Sequence, residues 1–401
     1  MARSPVPHRV LIVGGGTAGV TVAARLRRGG AEGITVLEPA VTHYYQPLWT
    51  LVGGGQVDVR RTGRPEAKVL PKGVGHIAEA ATAIDPAAKV VTTDSGRELP
   101  YETLVLAPGL QLDFGGVPGL AESLGEAPVS SNYRADLAPR TWELIRGLRR
   151  GTAVFTQPAG PIKCAGAPQK IAYLAADHWR RRGVLKDIRI VLVLPDPVMF
   201  KVPVWADRLE RVAARYGIEV RKTSELVEVD GVARTAGIVD HTTGTKETLP
   251  FDLLHAVPPQ SAPAFVRASA LANPENPFGY ADVDQYTLRH QRFPDVFALG
   301  DVADLPTSKT GAAIRKQAPV VVENLKAVLA GREPAARYDG YTSCPLVTAR
   351  HKMLLAEFGY DLEPAPTIPF IDTTEERRDM WLLKRYGLPA FYWHAMLPGL
   401  A

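Results

Sequence analysis

The sequence predicts an α/β protein of two doubly wound domains, one interrupted by the other, followed by a C-terminal segment of different character. Three observations carry this. The chain opens on an apolar run, a glycine-rich turn, a helical pattern and a second apolar run, "RVLIVGGGTAGVTVAARLRRGG" then "GITVLEP". The same alternation returns later as "TAVFT", "APQKIAYLAADHWRRRG", "IRIVLVLP", "VWADRLERVAARYG" and "IEVRK". Short apolar strands alternating with helical periods predict parallel sheets covered by helices. The last residues, "MWLLKRYGLPAFYWHAMLPGLA", fit neither unit.

The first turn places Gly14, Gly16 and Gly19 in G-x-G-x-x-G spacing, and Glu38 ends the second strand. The first glycine turns tightly and the second lets the backbone approach a pyrophosphate. The third packs helix on strand, and the acid meets ribose hydroxyls. This predicts a Rossmann-like dinucleotide site. Further on, "YETLVLAPGLQLDF" runs a strand into Ala107, Pro108 and Gly109. Later "FPDVFALGDVADLPTSKTGAAIRKQA" ends a strand at Gly300 and Asp301. The two resemble the second and third signatures of flavoproteins with paired FAD and NAD(P) domains, which favours FAD over NAD at the first site. Asp301 alone would read as an ordinary helix cap; the ordered trio does not. The FAD-binding domain is therefore discontinuous. The expected division is 1–118 and 286–340 for its two parts, 119–285 for an NAD-domain-like insert and 341–401 for the C-terminal region.

A chain of 401 residues suits two or three domains around a large cofactor. The net charge of +5 is mild, and no basic block with interleaved aromatics marks a nucleic-acid groove. Histidines and cysteines lack metal-ligand spacing, so no metal is expected. No apolar run is long enough to span a bilayer. The start, "MARSPVPHRVLIVGGG", leaves no room for a signal or transit peptide ahead of the first strand, which predicts a chain kept on the cytoplasmic side.

In the insert, the turn after the first strand should repeat the glycine fingerprint if it bound a nicotinamide cofactor. It reads "QPAGPIKCAGAP", with prolines, Lys163 and Cys164 in place of glycines. A pyrophosphate would lack its close backbone approach there. Asp196, near the end of the next strand, still offers a ribose-binding acid, so the nicotinamide reading is weakened and not closed. Cys164 follows Lys163 and precedes a helix with Pro168 in its early turn; a neighbouring ammonium and a helix N-terminus both favour thiolate. The other cysteine, Cys344, sits in the punctuated segment "YDGYTSCPLVTAR". A redox couple beside the flavin and a pair of inert structural thiols are the two readings these features allow.

At this point the sequence resembles the sulfide:quinone oxidoreductases, in the two-cysteine group that includes the mitochondrial enzyme and bacterial counterparts. The resemblance covers nearly the whole chain through "EPAVTHYYQPLWTLVGGG", "SGRELPYETLVLAPGLQLD", "FTQPAGPIKCAGAPQKIAYL", "LPTSKT" and "YDGYTSCPLVTARHKMLLAEF". It implies that Cys164 and Cys344 form the redox pair, joined at rest by a disulfide or trisulfide. Sulfide attacks this bridge, leaving a persulfide on Cys344 and freeing the Cys164 sulfur to pass two electrons to FAD and on to ubiquinone. Sulfite, glutathione, coenzyme A or a further sulfide takes the sulfane sulfur. The resemblance assigns FAD contacts to Glu38, Gln46, Asp301 and Lys309, with backbone contributions from Gly14, Gly15, Gly16, Gly19 and Ala81, beside Gly109 and Gly300 of the later signatures. A third cysteine tethers FAD covalently in another branch; this chain has none, which implies noncovalent FAD.

The tail carries Phe391, Tyr392 and Trp393 in succession, with Lys384 and Arg385 before them. Core packing is one reading; the other is a membrane-facing interfacial segment with rings at the headgroup boundary and both cations toward anionic lipid. With the resemblance, this predicts a peripheral, monotopic protein on the cytoplasmic face of a bacterial inner membrane, monomeric or homo-oligomeric. The rival activities are a type II NADH:quinone oxidoreductase and a flavin-dependent NAD(P)H disulfide or persulfide reductase. A flavin-bearing sulfur carrier or redox sensor without turnover is the non-enzymatic rival.

Overall fold

The computed structural model describes residues 7–401; the expectation about a leader rests in part on residues 1–6, outside the described residues. The first sheet has five parallel strands in the order Gly75–Ile77, Ile34–Leu37, His8–Val13, Glu98–Leu106 and Val296–Ala298. Val10 stands opposite Ile34 on one side and Thr103 on the other. The strands are buried on both faces, as helix-covered parallel sheets require, so their apolar runs are nearly continuous. Strand Glu98–Leu106 serves two layers. Its first residues pair antiparallel with Val90–Thr93, which pairs with Ala81–Asp85, and its last join the parallel sheet.

The insert repeats the design with parallel strands in the order Val129–Ser130, Leu253–Ala256, Gly151–Thr156, Ile188–Val193 and Glu219–Arg221. Helix Ala167–Arg181 follows the central strand directly, and an antiparallel trio, Ser224–Asp230, Thr235–Asp240 and Lys246–Pro250, covers the far side. Chain enters and leaves side by side, Gln111–Leu112 pairing antiparallel with Gln260–Ser261. Beyond that pair, Ala262, Val266, Leu271, Tyr280 and Val283 bury themselves with Leu11, Leu104 and Ala298 of the first sheet. Residues 262–285, grouped with the insert by sequence, therefore pack with the first domain, their apolar residues sharing a core with its sheet.

The C-terminal region begins as a hairpin, Thr342–Ala349 with Lys352–Phe358, in which Cys344 faces Ala356. Its alternation is two-sided. Cys344, Leu346, Leu354 and Ala356 pack into the insert's core, while Val347, Met353 and Leu355 pack into the first domain. The hairpin is thus a wedge between the two. Helical segments from Arg378 to Met396 then close over the first domain, burying Met380, Trp381, Tyr392, Trp393 and Met396. This corrects the interfacial reading of the tail at three residues. Tyr392 and Trp393 are core residues. Lys384 is 2% exposed and donates to the Pro47 carbonyl at 2.7 Å. Leu382, Tyr386, Phe391 and Leu400 do remain exposed. Among the described residues, no helix is long and apolar enough to cross a membrane.

Candidate functional site

The glycine turn is built as its spacing demands. Gly14 has φ +102°, and a Cβ there would strike the Ala107 carbonyl of the second signature. A Cβ at Gly19 would run into the Gly14 carbonyl, so helix Thr17–Arg28 lies hard against the strand. Gly16 differs: nothing lies within 4 Å of an added Cβ. Its open face sits at the N-terminus of a helix with no side-chain cap, where free N–H groups and the helix dipole hold anions. Gly15 N–H donates to Glu38 Oε2 at 2.7 Å, placing the acid beside the turn. Gly109 has φ +74° and a similarly open face. Ala81 opens the antiparallel layer beyond the strand that flanks Glu38. The open cradle, the acid beside it and the absence of clashing side chains fit the dinucleotide half of a flavin.

The third signature sits at the end of strand Val296–Ala298. Gly300 has φ +73° and its N–H donates to Gln317 Oε1 at 2.9 Å. Asp301 follows in a short 3-10 turn, where burial raises its carboxyl above the ordinary range. Lys309 is buried; its Nζ donates to the carbonyls of Asp301 at 2.6 Å and Ala303 at 3.0 Å and stands 3.6 Å from the Tyr280 ring centroid. Burial pulls this ammonium down to about 8.

The two cysteines, remote in sequence, meet here. Both are free thiols, and they lie within hydrogen-bonding reach of each other. Cys164 holds φ +53°, a left-handed conformation that costs a side-chain-bearing residue about 1 kcal/mol or more and is kept only where the surroundings insist. They do: its N–H donates to the Lys309 carbonyl at 2.9 Å, and its own carbonyl accepts from Ala167 N–H at 2.7 Å. The Tyr133 hydroxyl donates to the Lys163 carbonyl at 2.9 Å. The start of helix Ala167–Arg181 packs against the sulfurs: a Cβ added at its N-cap, Gly166, would lie 3.1 Å from Cys344 Sγ. In a nucleotide-binding unit this helix end would hold a pyrophosphate; here it faces the thiol pair.

Hydrogen bonding from Cys344 is the main cause that holds the Cys164 thiol well below its ordinary value; burial opposes, and the ammonium groups of Lys170 and Lys384 assist. Cys344 is pushed well above, by that same hydrogen bond and by burial. One sulfur is prepared as a thiolate and leaving group, the other as its protonated neighbour.

The sequence assigned the helpful ammonium to the wrong lysine. Lys163 Nζ turns away from the sulfur to Gln46 Oε1 at 2.7 Å, lying between the rings of Trp49 and Tyr133. The left-handed turn at Cys164 sends neighbouring side chains apart. Lys170, from the first turns of the following helix, places Nζ 3.1 Å from Cys164 Sγ. A signal for it existed: Lys170 is the lone charge in "AGAPQKIAYLAA", on the helix face that packs inward. Lys384 carried no such mark. Of the expected site residues, Gly15 meets Glu38 at the glycine turn; Gln46 meets Lys163, Cys164 meets Lys309 and Lys309 meets Asp301.

Residues 8–322 match the family described as Pyridine nucleotide-disulphide oxidoreductase. The mitochondrial sulfide:quinone oxidoreductase of Mus musculus is 38% identical over 98% of this chain and 87% of its own. That of Dictyostelium discoideum is 39% identical over 98% and 86%. The chain belongs to the sulfide:quinone oxidoreductase family. Its fold agrees with the solved sulfide:quinone oxidoreductase of Aquifex aeolicus at a TM-score of 0.84 over 98% of this chain and 92% of that one, with 21% identity. The match over residues 8–322 spans the insert, whose first turn reads "QPAGPIKCAGAP" without the G-x-G-x-x-G spacing.

Proposed function

We propose that this chain is an FAD-dependent sulfide:quinone oxidoreductase in which Cys164 and Cys344 form the reactive pair. The observation that carries the reading is the meeting of these two sulfurs, with Lys170 Nζ at 3.1 Å from Cys164. Flavin, bound noncovalently along the Gly14–Gly19 turn, supplies two-electron storage between thiol and quinone chemistry; both cysteines are engaged at the sulfur site, which leaves no thiol for a covalent tether.

In the oxidised resting state the two sulfurs are joined, directly or through an extra sulfur. Hydrosulfide attacks the sulfur borne by Cys344; the bond toward Cys164 breaks and its electron pair stays on Cys164 as thiolate. Lys170 and the facing helix N-terminus stabilise that charge, which makes Cys164 the better leaving group. A small nucleophile such as sulfite, glutathione, coenzyme A or sulfide then takes the outer sulfur from the Cys344 persulfide. Two electrons leave the thiol pair for ubiquinone as the bridge closes again, and ubiquinone also takes two protons.

The exposed Leu382, Tyr386, Phe391 and Leu400 are the proposed contact with a membrane surface, through which a lipid-soluble quinone arrives. A bacterial inner membrane is the host expected from the sequence; the relatives' names point to mitochondria.

The NADH-dependent readings draw no support from the insert. Its first turn lacks the glycine spacing that admits a pyrophosphate, and the helix start behind it, at Gly166, packs against Cys344. The deciding experiment is anaerobic. Sulfide should bleach the flavin band of the purified protein, a short-chain ubiquinone should restore it, and NADH should leave it unchanged. Bleaching by NADH alone would replace this reading with the dehydrogenase one.

A further inference from the structure

A chain of buried polar groups joins the C-terminal tail to the cofactor turn, and neither the thiol chemistry nor quinone access uses it. His43, buried beside the glycine turn, places Nδ1 3.1 Å from the Gly15 carbonyl and 3.2 Å from Glu66 Oε2. Both neighbours are acceptors, so Nδ1 carries the proton. The ring's Nε2 lies 2.6 Å from the Tyr392 hydroxyl. That hydroxyl lies 2.8 Å from the Thr17 hydroxyl. The polar contacts therefore run unbroken from the Gly15 carbonyl through His43 and Tyr392 to the first residue of the helix.

The two ends of this chain lie on the same piece of backbone. Thr17 is the first residue of the helix behind Gly16, and the Gly15 carbonyl is two residues earlier. On the other side of that glycine, Gly15 N–H holds Glu38. Glu66 Oε1 is buried without a partner, and a Cβ added at Gly15 would lie 2.9 Å from it. Tyr392 itself is anchored by its ring, 4.5 Å from that of Tyr45. Arg64 over Trp393 at 4.3 Å fixes the next residue of the tail. The hydroxyl is thus placed by tail packing, and it spans the turn that receives the dinucleotide.

We propose that Tyr392 is a cofactor-positioning residue, latching the C-terminal tail to the Gly15–Thr17 turn so that tail docking and flavin retention are thermodynamically linked. This rests on the reading that FAD lies on that turn. Consuming the Thr17 hydroxyl and pinning the Gly15 carbonyl hold the intervening N–H groups in one arrangement, so the turn is shaped before the anion arrives. Linkage is reciprocal: if the docked tail favours flavin, bound flavin favours the docked tail by the same factor. The tail that faces the membrane therefore also senses whether the enzyme is loaded.

The test measures FAD dissociation by flavin fluorescence in Tyr392→Phe, Thr17→Val and the double variant, with hydrogen exchange over residues 388–397 in loaded and FAD-depleted protein. Each single change should weaken FAD about tenfold, since each strands a buried partner. The double variant should be no worse than either alone, because one chain is broken in both. FAD depletion should speed exchange in the tail of the parent and do so less in the variants. The proposal is overturned if both single variants bind FAD within about twofold of the parent and depletion leaves tail exchange unchanged, even where Tm falls, for that is what packing alone would give. Gly16→Val separates the underlying reading. Its side chain would fill the open cradle, so undiminished FAD binding there would mean that the cofactor lies elsewhere.

Discussion

Lys170 Nζ lies 3.1 Å from Cys164 Sγ, whereas the lysine adjacent in sequence, Lys163, reaches Gln46. The ammonium that favours thiolate therefore comes from the helix and not from the loop. Lys170→Met should slow flavin reduction by sulfide about 10- to 100-fold in stopped-flow mixing, with Lys170→Arg recovering part of the loss. Lys163→Met should change the rate less, and the reverse ranking would refute this assignment.

The two thiols should react in a fixed order. Cys164 ionises well below the ordinary thiol value of 9.0 and Cys344 well above it. An acid with a depressed pKa stays ionised as pH falls below its ordinary value, and loses that charge only below the depressed one. In reduced protein at neutral pH, iodoacetamide should thus label Cys164 first, read by mass spectrometry of the peptides. Preferential labelling of Cys344 would contradict the polarity of the pair.

Glu376 holds the hairpin that carries Cys344. Burial opposes its ionisation, but hydrogen bonds from Arg215, Thr348 and Lys352 outweigh this and lower the carboxyl to about 2. Its stabilising contribution is full above the ordinary 4.5 and lost as pH falls toward 2. Glu376→Gln should cost about 1–3 kcal/mol at neutral pH. Its Tm should be lower and should lose less than the parent's does between these two pH values; parallel pH profiles would count against the pairing.

The exposed tail residues should matter for membrane contact and not for sulfide chemistry. Tyr386→Ser with Phe391→Ser should lower cosedimentation with anionic vesicles and leave anaerobic reduction by sulfide unchanged. If binding to vesicles persists undiminished, the contact face lies elsewhere.

What the sequence disclosed was local. The glycine spacing from Gly14 to Gly19 determines its own turn, because the positive φ at Gly14 and the contact of Gly19 with the Gly14 carbonyl both arise within one strand–turn–helix unit. The replaced turn at Cys164 was equally legible, since missing glycines are visible without a fold. Three features were not. The direction of Lys163 depends on a left-handed residue beside it, and nothing in residue type announces that conformation in a cysteine. The placing of residues 262–285 depends on which of two sheets is nearer when the chain leaves the insert. Burial of Tyr392, Trp393 and Lys384 depends on acceptors and rings contributed by His43, Tyr45 and Pro47, far away in sequence. An aromatic tail has the same composition whether it faces lipid or protein.

The bond from Cys164 N–H to the Lys309 carbonyl sews the insert's first turn to the strand-end segment of the other domain. The hairpin bearing Cys344 is wedged between the same two domains, one face in each core. The spacing of the two sulfurs is therefore a joint property of three pieces of chain, and loosening any one of them would part the couple.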